Sequence, residues 1–166
     1  SSLSAPNGPS QQAAIRKALS TSTLSLEIYQ QLEMHGTGTP LGDPIEVGAA
    51  TAVLLGSKNA RRAIMLWAAK STYGHGEPCA GILGAMHALT SISHKSSFEI
   101  TNLRIVNPYV GETLSVARLS SVPREHAGII STQDEISACG ISAFAFQGTN
   151  AHVILGVQPD EANSHS

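Results

Sequence analysis

Glu33-Met34-His35-Gly36-Thr37-Gly38-Thr39-Pro40-Leu41-Gly42-Asp43-Pro44-Ile45-Glu46 is the stretch on which the fold turns. It closes an alternating run. Ile28, Gln30, Leu32 and Met34 fall on one face, and Tyr29, Gln31, Glu33 and His35 on the other. That pattern predicts a strand over about residues 28–34. A Gly/Thr-rich turn follows. Asp43 then suits a helix N-cap, Pro44 the first helical position, and Glu46 the third, from which a carboxylate reaches back to the cap. Strand, polar turn and helix make the repeating unit of an α/β fold. A side chain at the end of a buried strand commonly lines its active site.

Two later stretches repeat the design. An apolar run over residues 64–69 predicts a strand buried on both faces. It ends in Lys70-Ser71-Thr72-Tyr73-Gly74-His75 and leads into a helix over residues 77–93, with Ile82, Ala85, Met86, Leu89 and Ile92 inward. Gly81 and Gly84 are costly inside a helix, which suggests close approach to a neighbour. Near the end, Ala145-Phe146-Gln147-Gly148-Thr149-Asn150-Ala151-His152 joins two strand-like runs, 135–144 and 150–157, as a hairpin.

The remaining elements follow from caps and spacing. Residues 11–19 read as a helix capped by Ser10, with Ala14, Ile15, Ala18 and Leu19 on one side. The helix opened by Asp43 runs to Leu55, with Gly56 ending it. Residues 57–62 read as a basic surface turn, and Asn107-Pro108 as a turn in a surface crossing. Helices alternating with strands imply a sheet covered by helices.

Composition narrows the function. The chain has 166 residues, 42% hydrophobic, enough for one domain with a core. Charged residues are only 13% and the net charge is −2, which argues against nucleic acid as a main partner. No apolar run approaches a membrane span. Two cysteines make neither a disulfide framework nor a zinc site, so a cytoplasmic or organellar compartment is expected. Seven histidines are unusual for this length.

His35 and His75 each lie at a strand end beside glycine. Two neutral imidazoles can donate to one carbonyl oxygen and stabilise the charge that develops there. Lys70 can set a histidine's protonation state. His35, His75 and His152 lack the short helical spacing of a zinc-protease motif. The Gly36-Thr37-Gly38-Thr39 turn lacks the Gly-Lys-Ser/Thr of a phosphate loop. Its threonines suit either an extended polar ligand or their own backbone. Cys79 and Cys139 read as structural rather than nucleophilic.

These stretches together resemble the C-terminal half of the β-ketoacyl synthase (ketosynthase) domain of polyketide and fatty acid synthases. Glu33 to Thr39 matches the family's Glu-Ala-His-Gly-Thr-Gly-Thr, and the following Pro-Leu-Gly-Asp-Pro-Ile-Glu is typical of the polyketide branch. Lys70 to His75 matches Lys-Ser-Asn-x-Gly-His with Thr72 in place of Asn, and Gly148 to His152 matches Gly-Thr-Asn-Ala-His. Ala145 and Gln147 replace glycines of the family's Gly-Phe-Gly-Gly turn, and Pro78 and Cys79 replace small residues.

The resemblance implies a thiolase-like layered α/β fold, of which residues 1–157 would be the C-terminal half, with a mixed sheet flanked by helices. Residues 158–166 would be a polar tail or linker. It implies decarboxylative Claisen condensation of an acyl thioester with a malonyl-type extender. His35 and His75 would stabilise the enolate, Lys70 would support them, and Glu77 would belong to the polar network behind. Thr37 and Thr39 would contact a phosphopantetheine arm, and the Phe146 amide would serve the oxyanion hole. No cofactor would bind directly; the pantetheine arm arrives on acyl carrier protein. The family's nucleophile lies in a Thr-Ala-Cys-Ser-Ser setting that neither cysteine here has. The chain alone is therefore expected to be inactive in condensation and to need the missing N-terminal half, in an enzyme expected to be a homodimer. The alternative is a non-catalytic ketosynthase-like subunit that binds a partner half or a carrier protein.

Overall fold

Four parallel strands and one antiparallel strand carry the architecture. A computed structural model describes residues 5–24, 28–56, 63–96, 98–117, 120–122 and 137–157. The predicted basic turn at 57–62 and tail at 158–166 lie outside the described residues. The chain forms α1 (Gly8–Thr21), β1 (Tyr29–Glu33), α2 (Gly42–Leu54), β2 (Ile64–Trp67), α3 (Lys70–Tyr73) and a 3-10 turn (Glu77–Cys79). It continues through α4 (Ala80–Ser93), α5 (Pro108–Ala117), β3 (Ser120–Ser121), β4 (Ser137–Phe144) and β5 (Asn150–Val157).

The sheet order is β3-β2-β1-β4-β5. β1 pairs in parallel with both β2 and β4, and β5 returns antiparallel to β4 as the predicted hairpin. The central strand is buried along its whole length, so Gln30, Gln31 and Glu33 are interior rather than solvent-facing. On one face Ile15 of α1, Val47 and Leu54 of α2 and Val110 of α5 pack on Leu32 and Leu66. On the other face Ala88 and Ile92 of α4 pack on Trp67, Cys139 and Ile141.

Four local readings change. Asn7, not Ser10, caps α1, accepting from the Ser10 amide at 2.9 Å. Leu41, not Asp43, is the cap of α2, and it makes no side-chain cap bond. The Gly42 amide is held instead by Thr39 Oγ1 at 3.0 Å. Residues 108–117, read as an irregular crossing, form α5 because Pro108 opens it and Asn107 Oδ1 accepts the Tyr109 amide.

The fourth change is the largest. α4 turns Gly84, His87, Ala88, Ser91 and Ile92 to the sheet. Ile82, Met86 and Leu89, expected inward, are 69%, 62% and 50% exposed. The strand beneath explains this. β1 presents Glu33 and Gln31, so the polar and small residues of α4 face the sheet, and its apolar stripe faces away. Gly84 is where the two elements meet, since a Cβ there would sit 3.2 Å from Glu33 Cγ.

Two glycine substitutions test this packing in opposite directions. A Cβ at Gly140 would overlap the Tyr29 hydroxyl, whereas one at Gly48, inside α2, meets nothing within 4 Å. Gly140→Ala should therefore lose about 3 kcal/mol in urea unfolding, and Gly48→Ala should gain about 0.5–1 kcal/mol.

Candidate active site

Parallel strands bring their C-terminal ends to one edge of the sheet. β1 delivers His35 there, β2 delivers Lys70 and β4 delivers Phe144. His35 sits between two rings. Its centroid is 5.7 Å from that of His75, near-perpendicular at 85°, and 5.6 Å from that of Phe144. Phe144 is thus half-buried against a candidate catalytic histidine.

Two buried carboxylates hold this edge. Glu46 does not reach back to its own helix cap. It crosses to the end of β1, where Oε1 accepts the His35 amide at 2.6 Å and Oε2 accepts the Gly36 amide at 2.9 Å. Gly36 has φ +46°, and a Cβ there would lie 2.6 Å from Ala68 Cβ, so this turn requires glycine. Glu33 makes the matching bond across to β2: its Oε1 accepts the Ala69 amide at 2.7 Å, and its Oε2 meets His87 Nδ1 at 2.8 Å. Burial raises the pKa of Glu46 to about 7 against its two amide bonds, and raises that of Glu33 against His87 and Ala69.

Lys70 stands between the carboxylates. Burial lowers its pKa, and the charges of Glu33 and Glu46 oppose that. His35 is driven to a pKa of about 4, first by burial and then by the charges of Lys70 and His75. It is neutral at physiological pH, with Nδ1 buried and without a hydrogen-bond partner among the described residues. His75 is exposed and oriented by its own turn. The Glu77 amide donates to His75 Nδ1 at 3.1 Å, so the neutral ring carries its proton on Nε2 and can donate outward. Glu77 acts here through its backbone, from a left-handed conformation at φ 42°.

The threonine turn is partly self-bonded. Thr39 Oγ1 accepts from Gly42 and lies 3.4 Å from Thr37 Oγ1, and both side chains are exposed. Thr37, Lys70 and His75 line a cavity of about 280 Å³ whose walls include Met34, Val47 and Val110. Phe146 is 83% exposed on the β4–β5 turn, where Gly148 takes φ +90°. His152 is remote from this chemistry. Tyr29 Oη meets its Nε2 and Ser142 Oγ its Nδ1, both at 3.0 Å, and burial lowers its pKa to about 4. Among the described residues no cluster of three His, Cys, Asp or Glu could hold a metal. Cys139 is buried with its thiol pKa pushed up, while Cys79 is exposed and donates to the Gly76 carbonyl.

The sequence reading missed Glu33, Glu46 and His87 as working parts. For Glu33 and His87 the available signal was a charged side chain two residues before His35 and a histidine on the same helix as Gly84.

Residues 1–104 match the family described as Beta-ketoacyl synthase, C-terminal domain. The chain is 37% identical over 159 residues to the spectinabilin polyketide synthase system protein NorB of Streptomyces orinoci, covering 96% of this chain and 7% of that protein. It is 35% identical over 159 residues to the mycoketide-CoA synthase of Mycobacterium tuberculosis, covering 95% of this chain and 4% of that protein. Among solved structures it resembles the ketosynthase from module 1 of the bacillaene synthase of Bacillus amyloliquefaciens FZB42, with TM-score 0.86, 28% identity, and coverage of 96% of this chain and 29% of that one. The module 6 ketosynthase of the bacillaene synthase of Bacillus subtilis 168, as its C167S mutant, gives TM-score 0.81 and 27% identity, covering 95% and 29%. The chain thus spans a small part of these relatives and under a third of the solved ketosynthase chains.

Glu46 gives this frame a pH signature. The folded protein holds the Glu46 proton more tightly than an unfolded chain does, so stability falls as pH rises from 4.5 to about 7. Glu46→Gln cannot titrate. Its stability relative to the parent should improve by about 3 kcal/mol across that range. Urea unfolding of both proteins at several pH values checks this, and a pH-independent difference would contradict it.

Proposed function

We propose, from the premise that this chain belongs to the β-ketoacyl synthase family as its C-terminal domain, that it supplies the decarboxylating half of a polyketide-type condensing enzyme. The observation that carries this reading is the contact between His35 and His75, one ring neutral by burial and the other with Nε2–H turned outward.

The chemistry follows from that pair. A malonyl-type thioester enters on the phosphopantetheine arm of an acyl carrier protein. Its C–C bond to the carboxylate breaks and carbon dioxide leaves. The electron pair moves into the thioester carbonyl, whose oxygen becomes an enolate oxygen. His35 and His75 donate to that oxygen, and donors already oriented stabilise it without reorganising. The enolate carbon then attacks an acyl thioester, forming the new C–C bond and expelling the thiolate. Lys70 keeps His35 from taking a proton. Thr37 and Thr39 meet the pantetheine arm, Glu77 fixes His75, and the Phe146 amide faces the oxyanion of the condensation step.

The nucleophilic cysteine comes from the other half of the fold. Cys139 is buried and Cys79 lies on the exposed side of the α4 start. The stripe of Ile82, Met86 and Leu89 is the surface that the other half covers. The complete enzyme is a homodimer that works in the cytoplasm or an organelle. Among the described residues no helix is long and apolar enough to cross a membrane.

In a ketosynthase assembly containing this chain, His35→Ala and His75→Ala should each lower malonyl-thioester decarboxylation by about 10²–10³-fold. Decarboxylation at the parent rate in both variants, with the assembly intact, would instead support the non-catalytic binding role.

A further inference from the structure

We propose that His87, on the buried face of α4, is a positioning residue that sets the short helix α3 and with it Lys70 and His75. The inference rests on the condensing function above and adds a residue to it.

A buried histidine is commonly a packed core side chain. Two of its contacts bear on α3. Its Nδ1 meets Glu33 Oε2 at 2.8 Å, and the other oxygen of that carboxylate accepts the Ala69 amide at 2.7 Å. Ala69 immediately precedes Lys70, the first residue of α3. The His87 ring also packs edge-on to Tyr73, the last residue of α3, with centroids 6.2 Å apart at 83°. One imidazole therefore reaches the start of α3 through Glu33 and its end directly. Gly74 and His75 follow at once.

The ring's own orientation is fixed from separate segments. It stacks on Phe98 at 4.4 Å and 26°, and meets Trp67 of β2 at 5.9 Å and 71°. Glu33 in turn is 1% exposed, and α4 passes it at Gly84. Without a donor at His87, Glu33 Oε2 is a buried acceptor with no partner from α4. The carboxylate then gains by rotating, and the Ala69 amide moves with it.

The test uses the ketosynthase assembly containing this chain, with malonyl-thioester decarboxylation as the readout and thermal unfolding to confirm folding. His87→Leu keeps volume and removes the donor; His87→Gln keeps a donor. We expect His87→Leu to lower kcat about 10- to 100-fold with KM within about twofold, as displaced catalytic groups do. His87→Gln should recover most of that loss. A folded His87→Leu with parent kcat overturns the proposal, and so does His87→Gln as impaired as His87→Leu. Should His87→Leu not fold, Tyr73→Leu at its exposed position decides: a several-fold lower kcat with unchanged KM supports the proposal, and parent kcat overturns it. His75→Ala, run alongside, separates the two readings. If it too is fully active, the condensing function itself fails. If it is inactive while His87→Leu is not, only the positioning role does.

Discussion

Two carboxylates inside the protein, Glu33 and Glu46, must find hydrogen-bond donors, and the donors they find are the backbone amides where β1 and β2 end. A buried carboxylate left unpaired costs several kcal/mol, so these bonds are conditions of folding. Their consequence is geometric. Glu46, from α2, fixes His35 and Gly36. Glu33, from β1, fixes Ala69 beside Lys70. Each strand end is thus held by a residue from the neighbouring element, and the chemistry-bearing turns are as rigid as the sheet they leave.

The same arrangement sets the charges. Burial lowers the Lys70 pKa, and the charges of Glu33 and Glu46 oppose that. Burial first, and then the charges of Lys70 and His75, lower the His35 pKa to about 4 and keep the imidazole neutral. A protonated His35 would be a stronger donor, but it would pair with anions generally. A neutral donor responds to charge only as it develops on the substrate, which favours the transition state over the ground state.

Much of this was legible in the sequence. The turn from strand to helix after His35, the buried strand before Lys70 and the β4–β5 hairpin follow from period, glycine and proline. What was not legible depended on partners distant in sequence. Alternation along β1 separated Gln31 and Glu33 from Leu32 and Met34 without saying what either face meets, and the strand lies at the sheet centre and is buried on both sides. Hydropathy along α4 marked Ile82, Met86 and Leu89 as inward. They are exposed, and the face toward the sheet is chosen by Glu33 and Gln31. Asp43 has the residue type of a cap, but its carboxylate accepts from Gly38 in the preceding turn. Local rules assign residue types to positions; which of two polar faces is buried is a tertiary decision.

The central claim is that this edge holds His35 neutral and orients His75 through its Nδ1. Long-range 1H–15N correlation NMR of the imidazoles across a pH titration reads it most directly. The account predicts that His35 stays neutral down to a midpoint near pH 4, and that neutral His75 carries its proton on Nε2 with Nδ1 accepting. A His35 midpoint at or above the ordinary value of 6.5, or a neutral His75 protonated on Nδ1, would contradict it.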